Sequence, residues 1–94
     1  GTMSYILAFT DQSKRDIQRI KKSGNKALYK KLVALLEELE EHPVTGTGKP
    51  ELLRHYQEPT WSRRISGEHR LVYRIKAMTV TVLVLSAWGH YDDK

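Results

Sequence analysis

The side chains best suited to chemistry lie in a basic segment in the second half of the chain. Alternation in the strand that we predict there places Glu68 and Arg70 on one face. A neighbouring strand could add Arg63 or Arg64, with the aromatic ring of Trp61, to the same face. Guanidinium groups bind phosphates and aromatic rings stack on bases, so such a surface suits single-stranded nucleic acid. The same pattern is also typical of a solvated sheet face with exposed ion pairs, and Trp61 could instead pack in the core.

Two other patterns that could support chemistry fail on spacing. Residues 46–49 read Gly-Thr-Gly-Lys, but Pro50 stands where a phosphate-binding loop needs Ser or Thr, and a helix precedes it instead of a strand. None of the four histidines has another histidine four residues away or a carboxylate at ligand spacing. We therefore expect no metal site and no cofactor.

The first half of the chain predicts a short strand and two helices. Residues 5–9 are apolar, and Thr10 then offers a helix N-cap that leads into a helix ending near Ser23 and Gly24. From 25 to 41, leucines recur at helical spacing, which predicts an amphipathic helix. Four glutamates near its C-terminal end indicate either a solvated face or a basic partner.

After the second helix the hydrophobic period changes from 3.6 residues to 2. Pro43 stops the helix, and the pattern predicts strands over 61–65, 68–76 and 79–88, with a shorter one within 52–56. The apolar face of the 68–76 strand must meet the helices. We predict an α+β fold of order β-α-α-β-β-β, in which two N-terminal helices pack on one face of an antiparallel sheet.

Composition favours a single domain over 1–94 with a polyanionic partner. The 94 residues are 39% hydrophobic, include no cysteine, and carry 16 basic against 11 acidic side chains, a net charge of +5. Without cysteine there is no disulfide or thiolate chemistry. No apolar run reaches the roughly 18 residues of a membrane span, so we expect a cytoplasmic protein and no membrane association. Gly1 and Thr2, ahead of Met3, resemble a cloning scar.

Residues 43–91 carry a specific set of motifs. The chain reads PxxGxGKPExL from Pro43, WSRRIxxEHRLVY from Trp61, and His-Tyr at 90–91. These blocks closely resemble the YoeB/Txe family of toxins from bacterial toxin–antitoxin modules, within the RelE-like superfamily. The resemblance implies a microbial-ribonuclease-like sheet. It also implies a ribosome-dependent, metal-independent endoribonuclease that cuts mRNA in the ribosomal A site and inhibits translation.

The resemblance also assigns roles by motif position. It implies that Glu51 is the general base, Arg70 the phosphate-binding cation and His90 the general acid, with Tyr91 as a supporting aromatic. Metal-free cleavage through attack of the 2′-hydroxyl needs one group of each kind. The further side chains that we expect to contact substrate are Lys49, Arg54, Trp61, Arg63, Arg64 and Glu68.

The sequence departs from the family pattern in two places. Trp88 stands where a basic residue is common, and Asp92, Asp93 and Lys94 follow the tyrosine at which the family usually ends. The first departure could alter how RNA is held, and the second adds two anions near the expected site.

The resemblance implies several partners. These are a cognate antitoxin of the YefM/Phd type, the ribosome and mRNA, with operator DNA reached only through the antitoxin complex, and a homodimer is compatible with the family. One alternative stays open from the sequence. A non-catalytic protein that binds RNA or ribosomes, or acts as a co-repressor, needs the same charged face but has no need of His90.

Overall fold

The computed structural model describes residues 4–89. The elements are β1 (Ile6–Phe9), α1 (Asp11–Lys22), α2 (Lys26–Leu39), β2 (Glu51–Leu52), β3 (Thr60–Arg64), β4 (Arg70–Lys76) and β5 (Thr81–Ser86), with a turn of 3-10 helix at Ala77–Thr79. The predicted α+β architecture with two helices on a sheet is confirmed. The short strand expected within 52–56 begins one residue earlier and has two residues.

One pairing differs from the predicted antiparallel sheet. The strand order is β1-β5-β4-β3-β2, and the pairs from β2 to β5 are antiparallel. β1 lies at the edge and pairs parallel with β5, from Ile6 opposite Thr81 to Phe9 opposite Val84. A parallel pair needs a long crossover connection, which the two helices and the antiparallel strands together provide. The strand pattern alone does not show which neighbour β1 takes.

Polar side chains fasten α1 to the last strand. Thr10 is the N-cap, as predicted: its hydroxyl accepts the Ser13 N–H at 3.1 Å and donates to the Leu85 carbonyl at 2.9 Å. Asp16 is buried, and its carboxylate accepts the backbone N–H of Ala87 at 3.0 Å. The position of residues 85–87 is therefore tied to the helix that covers them.

The core lies between α2 and one face of the sheet. The buried helical leucines are Leu28, Leu32, Leu35 and Leu39. They pack in one cluster with Leu71 and Tyr73 of β4 and Val82 and Val84 of β5. This confirms that the 71 and 73 face of β4 meets the helices. Burying each such side chain stabilises the fold by about 1.5–3 kcal/mol.

We predict that Leu35→Ala lowers the free energy of unfolding by about 2–5 kcal/mol, because Leu35 is fully buried and its truncation leaves a cavity. Val33→Ala on the exposed side of the same helix should change it by less than about 1 kcal/mol. Urea unfolding followed by circular dichroism measures both. Equal losses in the two variants would contradict this placement of the core.

Candidate functional site

A single buried cation organises the loop that leads from α2 to β2. Arg63 has no exposed surface, although it is charged. Its Nε donates to the Tyr73 hydroxyl at 3.0 Å, and its Nη1 donates to Glu38 Oε1 at 2.6 Å. A buried charge is costly unless it is paired and hydrogen-bonded, and here both conditions are met.

The same guanidinium binds main-chain carbonyls of the loop. Its Nη2 donates to the carbonyls of His42 and Thr45, the latter at 2.6 Å, and its Nη1 reaches the Thr47 carbonyl at 3.3 Å. Tyr73 donates its hydroxyl proton to the Pro43 carbonyl at 2.7 Å. Burial raises the pKa of Tyr73, so the phenol keeps the proton that it donates. Two core side chains thus hold four loop carbonyls.

Glu38 closes the other side of this loop. Its carboxylate accepts the Thr47 N–H at 2.6 Å and the Thr47 hydroxyl at 2.8 Å. A Cβ atom at Gly46 would lie 1.7 Å from Glu38 Oε1, and the backbone there has a φ of +119°, so the loop requires glycine at that position. One of the four glutamates near the end of α2 therefore has a basic partner, and it lies within the same chain.

The pKa of Glu38 reflects this environment. Partial burial acts to raise it, but the hydrogen bonds from Thr47 and the charge and hydrogen bond of Arg63 outweigh that effect. The net result is a pKa below the usual 4.5. Glu38 therefore stays ionised to a lower pH in the folded protein than an ordinary glutamate does.

These contacts correct the expectation for Arg63 and decide between the two placements considered for Trp61. Arg63 and Trp61 share the face of β3 that packs toward the helices, and Trp61 is partly buried against the core, opposite Tyr73 in the register. Arg63 is therefore not an open-face substrate contact. The expectation for Arg63 failed because a charged residue in a strand is normally assigned to the solvent side, and the hydrogen-bond partners of this one lie 10 to 25 residues away along the chain.

The opposite face of the sheet carries a cationic cleft. Lys49, Glu51, Arg64 and Arg70 line it together with Pro50 and Ser62, and its volume is about 360 Å³. Glu51 lies opposite Ser62 across β2 and β3, and Arg64 lies opposite Arg70 across β3 and β4. We refer to these six residues as the cationic cleft. It brings together four of the predicted site residues, three cations and one carboxylate.

The two arginines of the cleft are directly opposite one another. Like charges at such positions destabilise a sheet, and an anion between them relieves the repulsion. Arg70 Nη1 donates to the Ser66 carbonyl at 3.0 Å, which fixes the side chain near the β3–β4 turn. Farther along β4, Arg74 and Lys76 pair with Glu58 at 3.3 and 2.7 Å. The arrangement is suited to binding a phosphate or a carboxylate near Arg64 and Arg70.

A backbone hydrogen bond holds the loop between α2 and β2 beside the cleft. The Gly48 carbonyl accepts the N–H of Arg64 at 2.6 Å, immediately before Lys49. A Cβ atom at Gly48 would lie 3.0 Å from the Arg64 carbonyl, and the backbone φ there is +80°. Glycine at 48 allows the loop to lie against β3 and places Lys49 and Glu51 beside Arg64.

The remaining predicted site residues lie elsewhere. Arg54 is exposed after β2, outside the residues that line the cleft. Glu68 is exposed in the β3–β4 turn and lines a separate groove with Lys31 of α2. His90 and Tyr91 lie outside the described residues, as do Asp92, Asp93 and Lys94.

Sequence reasoning missed three residues that hold the loop or line the cleft. Glu38, Tyr73 and Ser62 were not predicted to contribute to it, yet the first two hold Arg63 and the loop, and the third lies in the cleft. The only available signal was the strand alternation that places residues 61 and 63 on the side opposite 62 and 64. Applied to β3, it would have separated Arg63 from Arg64.

Known proteins share the motifs of this chain over most of its length. A family model described as a YoeB-like toxin of bacterial type II toxin–antitoxin systems matches residues 9–91. Toxin YoeB of Synechocystis is 38% identical over 86 residues, which cover 92% of this chain and 96% of that protein.

Solved structures from Staphylococcus aureus share the fold. A YoeB dimer has a TM-score of 0.81 and 30% identity, covering 94% of this chain and 99% of that one. A YoeB–YefM complex has a TM-score of 0.77 and 32% identity, covering 93% and 98%. The fold and motifs are those of a toxin from a bacterial toxin–antitoxin pair. Within that class, the chain belongs to the YoeB-like toxin family.

Two further kinds of feature are absent from residues 4–89. Neither helix combines the length and the apolar character that a membrane crossing requires. The same residues contain no group of three or more histidine or carboxylate side chains placed to hold a metal ion.

We predict that the Glu38 carboxylate makes the free energy of unfolding fall at acid pH. Because its pKa is lower in the folded than in the unfolded state, its contribution is fully present above about pH 4.5 and is lost as the pH falls through the folded-state pKa. Glu38→Gln should lower the free energy of unfolding at neutral pH by about 1–3 kcal/mol. It should also flatten the fall in stability below about pH 5.

Urea unfolding at a series of pH values measures both effects. Glu37→Gln is the matched control, because Glu37 is an exposed neighbour on the same helix. Its curve should run close to that of the unmodified protein. If Glu38→Gln also runs parallel to the unmodified protein throughout, the Arg63 and Thr47 contacts do not depend on the charge of Glu38.

Proposed function

We propose that this toxin is a ribosome-dependent, metal-independent endoribonuclease that cleaves mRNA in the ribosomal A site and thereby inhibits translation. The observation that supports this most is the cationic cleft, where Glu51, Arg64 and Arg70 from three different strands line one space. A carboxylate next to two guanidinium groups matches a reaction that removes a proton beside a phosphate.

Glu51 is the proposed general base. Its carboxylate would take the proton from a ribose 2′-hydroxyl, whose oxygen then attacks the adjacent phosphorus. General-base assistance of this kind contributes about 10²–10⁴-fold. Glu51 is exposed at the mouth of the cleft, so we assign the alignment of the hydroxyl to the ribosome-bound message.

Arg70 is the proposed stabiliser of the transition state, with Arg64 and Lys49 as auxiliaries. Attack on phosphorus creates a pentavalent, dianionic state, and fixed cations stabilise it more than the ground state. Arg70 is already anchored through the Ser66 carbonyl, so little reorganisation is needed when charge develops. Losing one such donor typically costs about 10²–10³-fold in rate.

His90 is the proposed general acid, with Tyr91 as its support. The acid would protonate the departing 5′-oxygen and leave a 2′,3′-cyclic phosphate and a free 5′-hydroxyl. His90 is bonded to Gly89, whose carbonyl accepts the backbone N–H of Arg70 at 2.9 Å. The chain therefore passes next to the proposed phosphate site immediately before the proposed acid.

A YefM/Phd-type antitoxin is the proposed partner that silences the toxin. The related S. aureus toxin was solved with YefM, and the cationic cleft suits an acidic antitoxin segment. We also propose that the toxin reaches operator DNA only through that complex. We further propose a homodimer, a form in which the S. aureus relative was solved. Because the proposed targets of this toxin are ribosomes and mRNA, we propose that it acts in the cytoplasm.

We predict that Glu51→Gln, Arg70→Ala and His90→Ala each lower the rate of ribosome-dependent mRNA cleavage by about 10²-fold or more, because each removes one of the three chemical roles. Primer extension on a message in purified translating ribosomes measures the rate. Glu37→Gln and Lys30→Ala, exposed charge changes on α2, should cleave like the unmodified toxin. If translation stops while the message stays intact, the protein is a non-catalytic inhibitor.

We predict that antitoxin binding weakens by about tenfold between low and physiological ionic strength, because salt screens the exposed cations of the cleft. The double variant Lys49→Gln, Arg64→Gln should bind more weakly and show a smaller salt dependence. Lys30→Gln serves as the control for a change in net charge outside the cleft. Titration calorimetry measures the dissociation constants, and a flat dependence for the unmodified toxin would contradict the proposed docking.

A further inference from the structure

Both main-chain polar groups of Gly89 are held by consecutive residues at the start of β4. The His69 imidazole accepts the Gly89 N–H on Nδ1 at 2.8 Å. The Gly89 carbonyl accepts the N–H of Arg70 at 2.9 Å. Gly89 has a φ of +74°, a left-handed conformation that glycine adopts without strain. The residue just before His90 is thus fixed in position at both of its polar atoms.

The residue before Gly89 is held by the same imidazole. The His69 and Trp88 rings have centroids 4.3 Å apart with a tilt of 43°. On Trp88 the guanidinium carbon of Arg19, from α1, lies 4.1 Å from the ring centroid. Together with the Asp16 contact to Ala87, three successive residues after β5 have specific partners.

We propose that His69 is a positioning residue for cleavage, which acts by holding Gly89 so that His90 can reach the scissile phosphate beside Arg70. This inference rests on the proposed function, since it takes His90 as the general acid. The acceptor on His69 is Nδ1, so its ring works in the neutral form with the proton on Nε2. His69 does not line the cationic cleft, and its carbonyl lies 3.5 Å from Arg70 Nη1.

The size of the effect follows from how steeply proton transfer depends on placement. Gly89 is bonded to His90, so under this proposal losing the hydrogen bond to Gly89 misplaces the general acid. A displacement of about 1 Å in a catalytic group can cost about 10²-fold in rate. Loss of the Nδ1 contact should therefore lower the rate of the chemical step and leave binding of the ribosome unaffected.

Two substitutions separate the hydrogen bond from the ring. His69→Phe keeps an aromatic ring against Trp88 but removes the acceptor, whereas His69→Asn offers its Oδ1 near the position of Nδ1 and removes the ring. We expect His69→Phe to lower kcat for cleavage by about 10–100-fold with KM for programmed ribosomes unchanged. His69→Asn should stay within about threefold of the unmodified toxin.

A double variant shows whether His69 acts through His90. If it does, His69→Phe combined with His90→Ala should cleave no more slowly than His90→Ala alone, because the positioned group is already absent. A merely structural role would make the two losses multiply. In nitrogen–proton NMR spectra, the Gly89 amide proton should shift upfield in His69→Phe and remain near its original position in His69→Asn.

The outcomes distinguish this inference from the function on which it rests. An unmodified toxin that leaves the message intact overturns both. If the unmodified toxin cleaves and His90→Ala does not, the proposed function stands. The positioning role is then overturned by an unchanged kcat in His69→Phe, by equal losses in the Phe and Asn variants, by multiplied losses in the double variant, or by an unshifted Gly89 amide.

Discussion

The ion pair between Arg63 and Glu38 is the interaction on which the site depends. It places a cation inside a small core, where an unpaired charge would be strongly destabilising. The guanidinium meets this constraint only by binding a carboxylate, a tyrosine and three loop carbonyls at once. Because those carbonyls belong to the segment that leads to Lys49 and Glu51, satisfying the buried charge also fixes the loop that delivers residues to the cleft.

Two neighbouring arginines therefore have opposite functions. Arg63 points into the protein and builds the loop, while Arg64 points to the other side and lines the cationic cleft opposite Arg70. The alternation of a strand directs one residue into the core and the next into the cleft. The side chains of His69 and Arg70 differ in the same way. The His69 ring accepts the Gly89 N–H, and the Arg70 side chain lines the cleft.

Much of the fold could be predicted because its elements have strong local signals. The leucine spacing of α2, the Thr10 cap and the β-branched strands are each visible in a few residues of sequence. The site was predicted less completely. Motif resemblance indicated Glu51, Arg64 and Arg70, which the structure brings together, but Arg63 was expected on the open face, and the choice between stacking and core packing was left open for Trp61. Their partners are distant in sequence, so no local pattern indicates them.

The sequence by itself determined the elements, the family and the chemical types of the candidate site residues. These follow from periodicity and from motifs that are read along the chain. Only the tertiary structure decided that β1 pairs parallel with β5, that Arg63 is a buried ion-pair partner, and that His69 holds Gly89. The physical reason is that strand register and burial depend on how distant segments pack, and a charged side chain has no fixed preference until its partners are in place.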